Sequence, residues 1–179
     1  REHYAACGGY PRNRERFMDE TAPMRRYKPA VEAIQKGDKA LADGKPEAAG
    51  PHYLAALKAV PDDYEALVKM SRCLLLQKQT KEAKVYAERA KAVKPGEAQA
   101  LAAMGLASFQ MKDFAGSHAS FDAYQKLLPG NPGMYFLDGY SLDQLGRRKE
   151  AAVLYQRYLD TGATDEAAAV AQKRLAALQ

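Results

Sequence analysis

Residues 47–63 read EAAGPHYLAALKAVPDD, residues 81–97 KEAKVYAERAKAVKPGE, and residues 115–131 AGSHASFDAYQKLLPGN. Each stretch begins 34 residues after the one before it. Pro61, Pro95 and Pro129 punctuate their ends. Near their starts stand Ala49, Ala83 and Ser117, and the same step reaches Ala151. A further column reads Tyr53, Ala87, Phe121 and Tyr155, and another Ala56, Ala90, Tyr124 and Tyr158. Upstream of each stretch, Gly37, Ser71, Gly105 and Gly139 keep the same interval. Five columns in one register without a gap mark an internal repeat rather than a bias of composition.

The columns have a physical reading as a helix–turn–helix unit. A small residue on the first helix (Gly37, Ser71, Gly105 or Gly139) faces a small residue on the second (Ala49, Ala83, Ser117 or Ala151). Two backbones can then approach closely, and an aromatic ring at position 53, 121 or 155 plugs the space beside them. Proline closes the unit, because the residue before it disfavours the helical region. The turns inside the units fall at 44–46, 78–80, 112–114 and 146–148, and Pro46 suits a first helical turn. Residues 63–77 carry Leu67, Met70 and Leu74 at the spacing of one buried helical face. Pro51 falls inside the expected second helix of the first unit and is expected to bend it, at a cost of about 3 kcal/mol if unrelieved.

Length and composition narrow the function classes. A chain of 179 residues suits one domain, or one domain with an arm, and can bury a core without disulfides. Charged residues are 27% and hydrophobic residues 47%, an ordinary globular balance. Ala is in excess at 34 residues. No apolar run approaches the roughly 20 residues of a membrane span. Two cysteines, Cys7 and Cys73, exclude a disulfide framework and leave the redox compartment open. A chain that opens on Arg1 is expected to be a processed product or a piece of something longer.

The repeat resembles the tetratricopeptide repeat, with its 34-residue period and its small, aromatic and proline positions. That resemblance implies an all-α fold, a right-handed superhelical solenoid of about four units over 30–63, 64–97, 98–131 and 132–163. Residues 164–179 are expected to form a capping helix, since Thr164-Asp165-Glu166 offers a start and 167–178 is a strong helix former. Some positions depart from the pattern. Ala87 stands where an aromatic is expected, and the fourth unit ends without proline.

Residues 1–28 lie outside the repeat and read as a partly helical arm. They carry +3 of the chain's +5. Basic and acidic side chains alternate there, which argues against a nucleic-acid partner. Arg14–Glu20 suits a short helix, while Gly8-Gly9-Tyr10-Pro11 and Thr21-Ala22-Pro23 read as turns. Tyr4, Tyr10, Phe17, Met18 and Met24 make the arm a candidate for docking on a preceding domain or on a second copy.

No catalytic constellation appears. His3, His52 and His118 are scattered, with no HExxH and no pair at helical ligand spacing, so no metal and no cofactor is expected. His52 and His118 read as structural. Cys73 reads as a small core residue and Cys7 has no activating neighbour. The chain is therefore read as non-enzymatic.

Binding is expected on the inner face formed by the first helices. The candidate groove residues are Ile34, Asp38, Val68, Lys69, Arg72, Leu75, Leu106, Phe109, Phe136 and Tyr140. A mostly apolar lining with a few polar anchors suits a peptide or protein partner. Chaperone-binding members of the family use a Lys, Asn and Arg clamp. The corresponding positions here are Ile34, Asp38, Lys69, Gln99 and Ala103, which disfavours a chaperone tail. Two alternatives stand beside the binding module. Residues 4–11 faintly resemble the end of zinc-peptidase domains that carry C-terminal repeats, which would make this a substrate-presenting region of a larger enzyme. An arm inserted into another copy would make it a self-assembling scaffold.

Overall fold

The computed structural model describes residues 21–178, with side chains from Tyr27 onward. Nine α-helices occupy the described residues: α1 Thr21–Ala42, α2 Pro46–Ala59, α3 Tyr64–Leu76, α4 Thr80–Val93, α5 Ala98–Gln110, α6 Phe114–Leu127, α7 Pro132–Gln144, α8 Arg148–Leu159 and α9 Glu166–Leu178. Each helix packs on the next in the chain, and α3 also touches α5, as α5 touches α7. Four helical hairpins therefore stack side by side in a solenoid, and α9 closes the row against α8.

The hairpins form for the reason the columns suggest, and the fit is tighter than small-against-small alone. A Cβ added at Gly37 would stand 2.5 Å from the Tyr53 ring, and one at Gly105 2.4 Å from the Phe121 ring. The glycine is thus the seat of the aromatic ring. In the second unit both members change together. Ala87 replaces the ring, and Ser71 fills the vacated space and donates a hydrogen bond from Oγ to the carbonyl of Ala83 at 2.7 Å. The departure at Ala87 is a matched exchange within the unit.

Turn chemistry repeats as well. Gly44, Lys78, Lys112 and Gly146, one per unit, all take a positive φ of 61–75°. Two units thus place lysine in a conformation that glycine adopts without strain. Asp63 and Asp113 cap α3 and α6, accepting from the backbone N–H of Ala66 at 2.8 Å and Gly116 at 3.0 Å. Asp165 does the same for Ala168 at 2.9 Å and also accepts from the Tyr158 hydroxyl, which fastens α9 to α8.

The structure corrects one expectation. Thr21-Ala22-Pro23 is the first turn of α1 and not a loop, because proline there lacks only a donor that a helix start leaves unpaired anyway. Helix α2 runs without interruption from Pro46 to Ala59, with Pro51 inside it. Near that proline, the Pro46 carbonyl accepts from Gln77 Nε2 at 2.9 Å and from the Cys73 thiol at 3.0 Å, so α3 supplies donors there. Cys73 is the small core residue expected, fully buried, and its thiol also makes that bond. The expected short helix at 14–20, the Gly8-Gly9 turn and the rest of the arm before residue 21 lie outside the described residues.

Candidate functional site

The first helices α1, α3, α5 and α7 line one face of the solenoid, and their side chains divide it into two halves of different chemistry. In the half built by α1 and α3, charge dominates. Lys69 Nζ lies 2.5 Å from Asp38 Oδ2 and 2.6 Å from Glu65 Oε1. The Tyr53 hydroxyl donates to Asp38 Oδ1 at 2.9 Å. Burial pulls the Lys69 ammonium down, but its two carboxylate partners outweigh that and hold it above its ordinary value. Burial, with the Asp38 hydrogen bond second, pushes the Tyr53 phenol well up. Lys69 is therefore neutralised within the protein. Arg72, one turn further along α3, is exposed and makes no ion pair among the described residues.

The half built by α5 and α7 is aromatic. Phe109 packs edge-on against Tyr140 at 5.5 Å between ring centroids and against Phe114 at 6.1 Å. Tyr140 leads to Phe136 at 6.4 Å, and Phe136 to Tyr158 at 5.4 Å. Phe109, Phe136 and Tyr140 are half-buried, so each ring keeps part of its surface in water. Edge-to-face packing of this kind holds rings in fixed orientations. At the N-terminal ends of α1, α3 and α5 the face opens into a cavity of about 690 Å³ bounded by Tyr27, Val60, Tyr64, Lys69, Val93 and Lys94.

The ten candidate groove residues thus fall into three groups. Ile34 and Leu75 are buried in the core and offer nothing to a partner. Asp38 and Lys69 are spent on each other. Val68, Arg72, Leu106, Phe109, Phe136 and Tyr140 keep exposed surface.

Two acids of α7 are buried and paired. Asp138 of α7, with only 3% of its side chain exposed, accepts from Gln125 at 2.9 Å and lies 2.6 Å from His118 Nδ1 of α6. Burial pushes its carboxyl up, against the opposing pull of His118. The structural role expected for His118 therefore has a specific carboxylate partner. Asp143 is held bidentate by Arg174 of α9 at 2.6 and 2.7 Å and accepts from the Tyr155 hydroxyl at 3.3 Å. Separations of 20 and 31 residues along the chain hide both pairs from any local spacing rule.

Cys73 is a poor nucleophile here, since burial raises its thiol above the ordinary range. In a Cys7→Ser background, a thiol reagent is expected to leave the native protein unlabelled and to modify Cys73 only after unfolding. Fast labelling in native buffer would contradict its burial. Among the described residues no group of His, Cys, Asp and Glu could hold a metal ion, and no helix is long and apolar enough to cross a membrane.

A row of stacked helical hairpins with a 34-residue period and small-residue seats for aromatic rings defines a helical-repeat protein of the kind that serves as a protein–protein interaction module. Residues 40–106 of the chain match the model of the tetratricopeptide repeat family. Among solved structures, it is similar to a thermophilic protein of this family from Thermus thermophilus, at 19% identity and a TM-score of 0.66 over 83% of this chain and 80% of that one. It is also similar to MamA from Desulfovibrio magneticus, at 18% identity and a TM-score of 0.69 over 74% and 75% of the two chains. A third likeness is the first repeat domain of Spaghetti (RPAP3) bound to an HSP90 peptide, at 18% identity and a TM-score of 0.65 over 67% and 95%. At these identities the likeness is one of fold. A search of the curated proteins found no match. Nothing found supports the peptidase resemblance, whose residues 4–11 lie outside the described part of the chain.

Proposed function

We propose that this chain is a non-enzymatic module that holds a peptide or protein segment along the face of its first helices. An apolar side chain of the partner rests on Phe109, Phe136 and Tyr140, and an acidic group meets Arg72. The observation that carries this reading is the half-buried aromatic cluster of α5 and α7 together with an exposed arginine on α3 that has no ion pair among the described residues. Rigid aromatics and arginine are the residue types that dominate binding energy at protein interfaces.

The relative bound to an HSP90 peptide sets a useful contrast. Of the clamp positions named above, only Lys69 is cationic here, and Asp38 and Glu65 already neutralise it. A partner recognised through its aromatic-facing side chain is therefore favoured over a terminal carboxylate.

The test is a pull-down from the source organism, followed by calorimetry on the captured partner. Arg72→Ala and Tyr140→Ala are each expected to weaken binding about tenfold, which corresponds to about 1.4 kcal/mol. Unchanged affinity in both would sink the groove assignment.

A further inference from the structure

The three junctions between hairpins, α2 on α3, α4 on α5 and α6 on α7, use the same repeat positions. The third differs from the first two in kind. Position 138 is aspartate where 70 and 104 are methionine. Position 141 is serine where 73 and 107 are cysteine and alanine, and position 117 is serine where 49 and 83 are alanine. Apolar columns thus turn polar where α7 meets α6.

The packing follows the columns. Asp138 joins His118 and Gln125 of α6, and Ser141 Oγ lies 3.0 Å from Ser117 Oγ. Among the described residues, one apolar core runs from α1 into α5 and a second from α7 through α9, and no residue of α6 belongs to either. A cavity of about 250 Å³ opens at the same junction, with His118, Asp122, Gln125, Asp138, Glu150 and Arg157 in its wall. The corner 128–131 that joins α6 to α7 is also the only one of the three between units to hold a residue at positive φ, Gly130 at 94°. Glycine adopts that conformation without strain.

These features make the third junction the easiest to part. An apolar contact that opens exposes its surface to water with nothing to replace what is lost. A polar contact at the wall of a cavity exchanges for hydrogen bonds to water at little net cost. Opening also relieves Asp138 of the burial that pushes its carboxyl up.

We propose that the array articulates at the α6–α7 junction, as two bodies, α1 to α6 and α7 to α9, latched by Asp138 with its α6 partners and by the Ser117–Ser141 pair. On the side of the first helices, the half-buried contacts of Tyr140 with Phe109 at 5.5 Å and with Phe114 at 6.1 Å cross the joint. Rotation about it therefore changes the distance between Arg72 on the first body and Tyr140 on the second. That consequence rests on the binding face proposed above, whereas the joint itself does not.

Spin-label distances test the joint with no partner present. In a Cys7→Ser background, which leaves Cys73 buried, two pairs of exposed sites each span two junctions. Glu47→Cys/Ala115→Cys spans the two apolar junctions, and Lys81→Cys/Lys149→Cys spans the second and the polar third. The distance distribution of the second pair is expected to be at least about twice as wide as that of the first. In Ser117→Ala/Gln125→Leu/Asp138→Met/Ser141→Ala, which gives the third junction the residue types of positions 49, 57, 70 and 107, the second pair is expected to narrow to the width of the first. Equal widths before those substitutions would overturn the inference on their own. A second pair that stays wide after them, while the first keeps its width, would overturn the role of the latch. Affinity plays no part in these distances, so the groove assignment stands or falls separately, in the calorimetry.

Discussion

Replacing Gly105 with alanine is expected to destabilise the protein by about 2 kcal/mol, although alanine is the better helix former by about 1 kcal/mol. The added methyl would stand 2.4 Å from Phe121 Cε1 and 2.6 Å from Cδ1, and that ring is fully buried with no room to retreat. Overpacking of a tight core costs roughly 1–3 kcal/mol, occasionally more, so the clash outweighs the propensity gain. Gly37→Ala, at 2.5 Å from the Tyr53 ring, is expected to behave alike. Gly139→Ala is the internal control. There the nearest atoms are Leu154 Cβ at 3.2 Å and Tyr155 Cδ1 at 3.3 Å, so its cost is expected to fall near zero. Urea unfolding of the three variants tests the order. A Gly105→Ala loss below about 0.5 kcal/mol would show that the ring has freedom the packing denies it.

Arg174→Ala is expected to destabilise the protein and to loosen α9 before the rest of the array. Its guanidinium is the only cation on Asp143 among the described residues, and that carboxylate has 3% of its side chain exposed. Stripping the partner from a buried charge costs about 3–5 kcal/mol in a closed site. Arg174 is itself 42% exposed, so water reaches the vacated position and the figure is discounted accordingly. The apolar anchorage of α9 is slight, since its fully buried residues are Ala168 and Ala171. Hydrogen exchange should therefore show α9 opening at lower free energy in the variant while α3 to α6 keep their protection. The double variant Asp143→Ala/Arg174→Ala should lose less than the sum of the single losses, because no charge is stranded. Additive losses would mean that the pair does not couple the cap to α7.

The two variants separate what a reader of the sequence could and could not see. The glycine column was visible, and so was its meaning as a close approach of helices. Residues 34 apart announce themselves by repetition, and the hairpin they build is local. The exchange of Gly and aromatic for Ser71 and Ala87 looked like a defect in the pattern, since only the packed hairpin shows that both residues fill one space. The groove was legible as a list of inward positions, of which Ile34 and Leu75 proved to be core. Periodicity tells which way a side chain points, but not how much of a neighbouring helix covers it.

Charge was the least legible feature. Lys69, Arg72, Asp138 and Asp143 look alike in sequence, as polar residues on first helices. Lys69 is neutralised by Asp38 across 31 residues, Asp143 by Arg174 across another 31, and Asp138 is paired with His118 across 20. Arg72 alone of these four has no ion pair among the described residues, and that makes it the candidate anchor.

The sequence by itself determined the period, the hairpins and the turns within them, because these follow from local backbone preference and a repeated steric fit. Only the tertiary structure decided which inward residues remain available and how the buried acids are paired. Both depend on side chains brought together by the stacking of one hairpin on the next, a contact that no spacing within a single unit encodes.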